Sequence, residues 1–273
     1  MNLPIDTSND DYESLYEGFE SPLMRELRRE SYGEDIGQHS WVSAADLRRD
    51  IVRLGAPVGG QLLDLGCGPC GPLTFILTSV DSHGIGLDRS AAALAAGLVR
   101  ARSLGVDTRI KLREADLDGP IPLDSNCIDA VISFDVLLHL RDRLRAFREV
   151  SRVLKRGARL LFTDAGVVTG SISNEEVIAR SIHGFSQFCS PGFNEKMLEA
   201  AGLVLLETED RTAALIEIAT GRFAARLNHQ AELERVEGAV GFTRYQKYLQ
   251  SVISISERGA VSRMMYLAAR RTE

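Results

Sequence analysis

A glycine-rich turn that follows a short apolar run is the segment with the clearest capacity for chemistry. It reads Leu62-Leu63-Asp64-Leu65-Gly66-Cys67-Gly68-Pro69-Cys70-Gly71-Pro72. We interpret it as a strand that passes through a turn into a helix. Glycines let a backbone turn tightly and approach a ligand closely, and the first turn of a helix offers N–H groups without intrahelical partners. Three different chemistries use a turn of this kind.

Dinucleotide binding is the first of these chemistries. Gly66, Gly68 and Gly71 satisfy the pattern G-x-G-x-x-G, and Asp88 follows at nearly the ~20-residue separation expected for a ribose-binding acid. Asp64 fits less well, because it directly precedes the turn that a pyrophosphate would occupy and the like charges would repel. An NAD(P)-dependent oxidoreductase is therefore the alternative function.

Thiol redox chemistry is the second. Cys67-Gly68-Pro69-Cys70 is a C-x-x-C motif at a helix start, where a thiolate is stabilised. A thioredoxin fold is much smaller than this chain and would leave Asp64, Asp88 and Asp116 without a role. We therefore favour two small side chains that fill a tight turn over a redox pair.

A nucleoside with a cationic tail is the third ligand that suits the turn. It requires an acid at the turn, an acid for the ribose diol after the second strand, and a polar group for adenine after the third. Asp64, Asp88 and Asp116 occur in that order. S-adenosylmethionine is such a ligand, since it carries a sulfonium and an α-ammonium and no phosphate. A strand-end aspartate alone is often a cap or a turn residue, but three in succession favour this cofactor.

Five segments of the sequence resemble the class I S-adenosylmethionine-dependent methyltransferases, and the resemblance extends over residues 30 to 270. The segments are Leu63–Pro69, Gly84–Ser90, Glu114–Leu117, Ile128–Leu140 and Glu149–Ala158. The resemblance implies an α/β fold with a Rossmann-like seven-stranded methyltransferase sheet whose last strand is antiparallel. One position departs from the family: Cys70 stands where the third glycine of D-x-G-x-G-x-G is usual, and Gly71 follows, so the turn could close one residue later.

The resemblance also implies which residues contact S-adenosylmethionine. Asp64 and the backbone of Gly66, Cys67 and Gly68 face the methionyl part. Asp88 faces the ribose hydroxyls. The adenine lies against Asp116 and Leu117, and the cofactor site further includes Arg89 and Phe134.

Within this family the chain is most similar to small-molecule methyltransferases. The similar members act on sarcosine and dimethylglycine, phosphoethanolamine, tocopherol-type phenols and natural products. The features that carry this looser similarity are the segment Tyr32–Trp41, the Asp135 and His139 pair, and a late helical insertion. They imply methyl transfer to a nitrogen or oxygen of a small acceptor, by in-line displacement at the sulfonium, with nitrogen favoured.

His139 is the candidate general base for the acceptor proton. It follows Phe134 at the end of the fourth predicted strand, where open α/β sheets bind ligands, and an imidazole titrates near neutral pH. The alternative interpretation is a structural histidine bonded to backbone or to Asp135. In phosphoethanolamine-type relatives a histidine works with a tyrosine, for which the local candidates are Tyr12, Tyr16 and Tyr32. Asp135 either positions the acceptor or the base, or caps a helix.

The N-terminal segment is a candidate lid over the methionyl group, formed by Tyr32, Gln38, His39 and Trp41. An aromatic face near a sulfonium or an amine is favourable. The alternative for Trp41, the only tryptophan, is a buried anchor. The later residues that could line the acceptor pocket, or belong to ordinary core, are His183, Phe185, Phe188 and Cys189. Metal-binding patterns such as H-x-x-H are absent from the sequence, so we expect no metal site.

Alternating short apolar runs and amphipathic segments must position these residues, and they predict a parallel α/β sheet. The predicted strands are Gln61–Leu65, Gly84–Asp88, Thr108–Arg113, Ala130–Phe134, Arg159–Thr163, Leu203–Thr208 and Ser262–Ala269. The predicted helices among them are Gly71–Val80, Ser90–Leu104, Arg141–Leu154 and Asn194–Ala201. In Arg141–Leu154, Asp142 marks the start and Lys155-Arg156-Gly157 marks the end.

These elements predict four parts of the chain. We assign residues 1–50 to an N-terminal helical lid segment, 51–212 to the S-adenosylmethionine-binding core, 213–257 to a helical cap insertion, and 258–273 to the final strand of the core. The segment 213–257 is too long for a simple connection inside a compact domain, which favours an insertion with its own helices.

Composition sets the remaining expectations. The chain has 273 residues, 32 Lys and Arg against 38 Asp and Glu, and 44% hydrophobic residues, which excludes disordered, collagen-like and disulfide-dense classes. The mildly acidic balance argues against a broad nucleic-acid surface. Neither an apolar membrane span nor a signal peptide is evident. We therefore expect a cytoplasmic enzyme whose partner is a small-molecule methyl acceptor, without nucleic acid or membrane, and the oligomeric state is left open.

Overall fold

The computed structural model describes residues 16–182 and 184–272, and seven strands lie within them. They are β1 (Gln61–Leu65), β2 (His83–Asp88), β3 (Ile110–Glu114), β4 (Ile128–Phe134), β5 (Leu154–Val168), β6 (Leu203–Asp210) and β7 (Val261–Arg270). They form one sheet in the order β3-β2-β1-β4-β5-β7-β6. Strands β1 to β5 are parallel, and β7 is antiparallel to both β5 and β6. The predicted fold class, including the antiparallel last strand, is confirmed.

Nine α-helices of the described residues flank the sheet. They are α1 (Pro22–Tyr32), α2 (Ala44–Leu54), α3 (Gly71–Ser79), α4 (Ala91–Ser103), α5 (Arg143–Val153), α6 (Asn174–Arg180), α7 (Phe193–Ala200), α8 (Thr212–Asn228) and α9 (Gln230–Glu257). Side-chain caps fix where several of them begin. Ser43 accepts the N–H of Asp46 at α2, and Ser90 accepts the N–H of Ala93 at α4. At α5 the cap is Asp142, as the sequence predicts.

The core consists of two apolar layers, one on each face of the sheet. Successive residues of a strand point to opposite faces, so Leu62 packs in the layer that contains Leu73 of α3, while Leu63 packs in the layer that contains Phe147 of α5. All four side chains are buried, and burying one such side chain contributes about 1.5–3 kcal/mol. The two layers hold the carboxyl ends of the parallel strands rigidly.

Strand β5 is longer than the sequence predicts. Lys155-Arg156-Gly157 does not end a helix, because the chain enters β5 at Leu154, which pairs with Ile128. The register then shifts, and Arg159 pairs with Ala130. A bulge therefore accommodates the charged residues that suggested a helix terminus.

The predicted late helical segment consists of α8 and α9. Helix α1 packs against this pair through Leu27, which lies in a buried cluster with Ala225 and Phe242. A second cluster places Trp41 with Leu215 of α8 and Tyr248 of α9. These contacts hold the N-terminal segment and the two late helices together over one end of the sheet. Among the described residues, helices long and apolar enough to cross a membrane are absent.

Candidate active site

A cavity opens at the carboxyl ends of β1, β2 and β4, where the order of the strands reverses. Asp64 lies in β1, while Asp88 and Phe134 are the last residues of β2 and β4. The other predicted residues that line the cavity are Gly66, Cys67, Gly68, Arg89, Asp116, Leu117, Asp135, His139, His39 and Trp41. The fold therefore brings together residues that are up to about 100 positions apart in the chain.

Asp64 is the most unusual group in the cavity wall. Its side chain is buried, and its Oδ2 has no hydrogen-bond partner among the described residues. Burial raises the pKa of Asp64 well above its usual range, and the nearby charge of Asp88 raises it further. A buried carboxylate oxygen without a partner is costly, and a cationic ligand would offset that cost.

Asp88 links the second strand to the glycine turn. Its Oδ2 accepts the N–H of Gly68 at 2.7 Å, and its Oδ1 accepts the N–H of Ser90 at 2.9 Å. Burial raises the pKa of Asp88, although these N–H groups oppose that effect. Asp116 is exposed at the end of the next strand, and its Oδ1 accepts the N–H of Asp118 at 3.0 Å. The three aspartates thus follow one another around one cavity.

The glycine turn closes in a way that explains the unusual Cys70. Cys70 itself has a φ of 60° and caps α3, a left-handed conformation that ordinarily favours glycine. Gly71 follows because a Cβ there would lie 2.2 Å from the carbonyl oxygen of Gly37. Gly97 makes room for the thiol, since a Cβ there would lie 2.7 Å from Cys70 Sγ. The turn is therefore complete without a third glycine at position 70.

The two thiols of the C-x-x-C motif are buried, and both donate to the carbonyl oxygen of Gly68, from 3.7 Å for Cys67 Sγ and 3.5 Å for Cys70 Sγ. Burial raises the pKa of Cys67 well above the usual thiol range. A redox dithiol needs an environment that stabilises a thiolate, whereas this buried environment favours the protonated thiol. The geometry thus favours the space-filling interpretation.

The N-terminal segment reaches the cavity with only part of the predicted lid. His39 and Trp41 line the cavity, but Tyr32 and Gln38 do not. Gln38 is buried inside its own loop, where it accepts the N–H of Ile36 and donates to the carbonyl of Glu34. Tyr32 lies behind the wall and donates to the carbonyl of Ser40 at 3.0 Å, and burial raises its pKa to about 12.

Asp135 follows β4 with a φ of 59°, in the left-handed region that costs about 1 kcal/mol or more for this residue type. Its carboxylate accepts the N–H of Trp41 at 3.0 Å, the Nε–H of Arg263 at 3.0 Å and the hydroxyl of Thr163 at 2.9 Å. The cap of α5 is Asp142, so the helix-cap interpretation of Asp135 is wrong. Asp135 instead ties the lid to the sheet.

His139 lies in a short 3₁₀ turn, Leu137–His139, and is one of the residues that line the cavity. Its Nδ1 lies 3.0 Å from the carbonyl oxygen of Phe185. A carbonyl only accepts, so Nδ1 carries a hydrogen and the neutral ring has its lone pair on Nε2. Burial lowers the pKa of His139, which keeps the ring neutral near pH 7. A general base must be unprotonated, and a neutral imidazole meets that requirement.

Sequence reasoning missed the residues that the late helices contribute to the cavity: Arg180, Arg222, Tyr245 and Tyr248. They lie in helical segments whose spacing relative to the sheet no local pattern specifies. Of the other acceptor-pocket candidates, Phe185 provides only its carbonyl to His139, and Cys189 is buried beside Asp164. Tyr12 and His183 lie outside the described residues. Clusters of three or more potential metal ligands are not found in the described parts of the chain.

A sheet of this order, with an antiparallel last strand and a carboxylate-lined cavity at the reversal point, defines the class I methyltransferase fold. Residues 63–162 match the protein-family model of the methyltransferase domain. Over these residues the chain is similar to the methyltransferase domain, so the predicted resemblance to S-adenosylmethionine-dependent methyltransferases is confirmed.

Relatives differ in the reactions that their names state. A glycine/sarcosine/dimethylglycine N-methyltransferase of Actinopolyspora halophila is 32% identical over 151 residues, which are 55% of this chain and 26% of the relative. Phosphoethanolamine N-methyltransferase 2 of Haemonchus contortus, solved with phosphomonomethylethanolamine and S-adenosylhomocysteine, has a TM-score of 0.79 at 19% identity and covers 95% of this chain and 60% of its own. The [4+2]-cyclase SpnF has a TM-score of 0.73 at 23% identity and covers 96% of both chains.

The chain spans 58% and 26% of the lengths of the first two curated relatives that it matches. The likeness to the two solved structures shows the fold alone, and the cyclase demonstrates that one fold serves different reactions. The reaction must therefore be argued from the residues of the cavity.

Proposed function

We propose that the chain binds S-adenosylmethionine and transfers its methyl group to a nitrogen or oxygen of a small-molecule acceptor. The observation that carries the proposal is the buried Asp64 carboxylate, whose Oδ2 lacks a partner among the described residues while its side chain lines the cavity. An α-ammonium group satisfies such an oxygen, and a pyrophosphate would be repelled by it. The comparisons give no support for the NAD(P) alternative.

The cavity contains suitable partners for each part of the cofactor. Asp64 and the turn from Gly66 to Gly68 would hold the methionyl part, and Asp88 the ribose hydroxyls. Asp116 and Leu117 would lie along the adenine. Bound there, S-adenosylmethionine supplies an electrophilic methyl group and a sulfide leaving group, which no side chain of the protein can supply.

His139 is the residue that we assign to proton removal. Its Nδ1–H is held by Phe185, so the basic nitrogen of the neutral ring is Nε2, and the ring lines the cavity. An acceptor ammonium or hydroxyl must lose a proton before or during methyl transfer, and an imidazole is well suited to take it near neutral pH. Of the three tyrosines that the sequence suggests as its helper, Tyr16 lines the same cavity.

Asp135 acts as a positioning residue in this proposal. It accepts the N–H of Trp41 and forms an ion pair with Arg263, which is fully buried. The carboxylate therefore fixes the backbone of the lid against the sheet and does not serve as the base. A closed lid excludes water from the reacting groups.

The proposal is tested by incubating the full chain with methyl-labelled S-adenosylmethionine and an extract of small metabolites, followed by mass spectrometry of labelled products. We expect a labelled N- or O-methyl product that is formed about a hundredfold more slowly by the variant His139→Gln. The matched control is His229→Gln, because His229 is bound by Glu30 and Glu232 outside the cavity. Cofactor binding without any labelled product would overturn the assignment of methyl transfer.

A further inference from the structure

Two arginines from the late part of the chain line the cavity, Arg180 at the end of α6 and Arg222 in α8. Their guanidinium carbons lie 5.9 Å and 4.9 Å from the centre of the Trp41 ring. The two positive charges therefore flank one aromatic side chain of the lid.

The partners of both arginines are neutral. Arg180 donates to the hydroxyl of Tyr248 at 2.9 Å and to the carbonyl of Ala165 at 3.4 Å. Arg222 donates to the carbonyl of His39 at 3.2 Å and to the hydroxyls of Tyr32 and Tyr245. Within residues 16–182 and 184–272, a carboxylate oxygen within 4.0 Å of either guanidinium is absent. A buried charge without a counter-charge is costly.

The rest of the protein shows that this arrangement is exceptional. Seven arginines are buried, and six of them form ion pairs with carboxylates: Arg28, Arg100, Arg143, Arg211, Arg226 and Arg263. The seventh, Arg180, lines the cavity and has no carboxylate partner in the part of the chain that the structure describes. Half-buried Arg222, which contacts the same Trp41 ring, also has no carboxylate partner among residues 16–182 and 184–272. The six buried arginines that do not line the cavity each have a carboxylate partner.

Charge is distributed unevenly along the cavity wall. Asp64 and Asp88 lie at the strand ends, where the proposed function places the cationic cofactor. Asp135, which accepts the N–H of Trp41, is already bound to Arg263, and burial lowers the pKa of His139, which favours its neutral form. Among the described residues, no carboxylate pairs with Arg180 or Arg222, and an anionic ligand would balance their charges.

We infer that Arg180 and Arg222 form an anion-binding subsite for a methyl acceptor that carries a carboxylate or phosphate group. The inference rests on the proposed function, because it places the anion in the same cavity as the cofactor. Guanidinium groups bind both kinds of oxyanion through charge-assisted hydrogen bonds. The acceptor would be held by its anionic group, while the nucleophilic atom lies toward His139 and the cofactor.

Trp41 provides a direct readout of this subsite, since it is the only tryptophan of the chain and both arginines contact its ring. The full chain, saturated with S-adenosylhomocysteine, is titrated in separate arms with sodium phosphate and sodium acetate, against sodium chloride at matched ionic strength. We expect a saturable change of tryptophan fluorescence with at least one oxyanion and none with chloride. The arm that binds more tightly distinguishes a phosphate acceptor from a carboxylate acceptor.

The variants Arg222→Gln and Arg180→Gln should each weaken oxyanion binding by about tenfold or more, because each removes a charge-assisted contact. The matched control is Arg102→Gln, an exposed arginine on α4 outside the cavity, which should leave binding unchanged. The variants Arg222→Lys and Arg180→Lys keep the charge and should retain part of the affinity, which separates lost charge from a disturbed fold. Circular dichroism verifies folding for all variants.

Equal oxyanion binding in the wild type and both glutamine variants, or a linear response to all salts, would overturn the subsite. The affinity for S-adenosylhomocysteine is measured for every variant in the same experiment. Failure of that cofactor product to bind the wild type contradicts the proposed function, whereas intact cofactor binding without a saturable oxyanion response contradicts only the subsite.

Discussion

The substitution Asp64→Asn should change ligand affinity and stability in opposite directions. Asp64 is buried, its Oδ2 lacks a partner among the described residues, and burial together with Asp88 raises its pKa. In the proposed complex the carboxylate pairs with the ammonium group of the cofactor. The amide has the same shape but no charge, so it cannot form that pair, and it also relieves the repulsion from Asp88.

The loss of affinity is the larger effect. Removing one partner of a buried, hydrogen-bonded charge pair costs about 2–5 kcal/mol, and each 1.4 kcal/mol corresponds to tenfold in the dissociation constant. We therefore expect Asp64→Asn to bind S-adenosylhomocysteine at least about 30-fold more weakly. Isothermal titration calorimetry measures this change directly.

The gain in stability depends on pH. The pKa of Asp64 is higher in the folded protein than in the unfolded chain. Its contribution to the free energy of unfolding is therefore fully present at a pH below the unfolded-state pKa, and it is lost as the pH rises through the folded-state pKa. Ionised Asp64 thus weakens the ligand-free fold at higher pH, and the amide does not. At about pH 8 we expect the free energy of unfolding of the variant to exceed that of the wild type by about 1 kcal/mol, which raises Tm by about 2–4 °C. At about pH 5 we expect a smaller increase.

Scanning calorimetry of the ligand-free protein at both pH values provides the stability measurement. The matched control is Asp81→Asn, because the Asp81 carboxylate is exposed to solvent. Unchanged affinity in Asp64→Asn would refute the pairing of this carboxylate with the ligand. A variant that is less stable than the wild type at both pH values would show that the carboxylate is structurally satisfied.

Two further predictions concern His139 and the C-x-x-C motif. Because burial lowers the pKa of His139, the neutral base persists to more acidic pH, and kcat/KM should decrease only at a pH below the usual range of histidine pKa values. A decrease of kcat/KM that begins above that range contradicts the role of His139 as base. The same holds if His139→Gln leaves the acidic side of the pH profile unchanged. The substitution Cys70→Ser should leave methyl transfer within about threefold of the wild type, because both thiols are buried and burial raises the pKa of Cys67; its complete loss in a correctly folded variant would revive a thiol mechanism.

The strands and the three aspartates could be predicted from sequence because both depend on local pattern. Apolar runs bounded by glycine specify buried strands, and a carboxylate at the end of each parallel strand must reach the same edge of the sheet. Asp64, Asp88 and Asp116 therefore converge as expected, although Asp64 lies within β1 and not after it.

The acceptor side of the cavity could not be predicted in the same way. Arg180 and Arg222 reach it through the packing of α6 and α8 on the N-terminal segment, and such long-range contacts leave no spacing in the sequence. Tyr32 and Gln38 do not line the cavity, and their side chains bond instead to backbone groups of the N-terminal segment. Local composition indicated a lid, while tertiary packing decided which of its side chains face the ligand.

The central claim is that the carboxylates at the strand ends receive a cationic nucleoside. Calorimetric titration of the wild-type chain with S-adenosylhomocysteine, in two buffers of different ionisation enthalpy, tests it most directly. The claim predicts saturable binding at one site, with protons released as Asp64 ionises against the ammonium group. Absence of binding, or saturation by NAD⁺ instead, would contradict it.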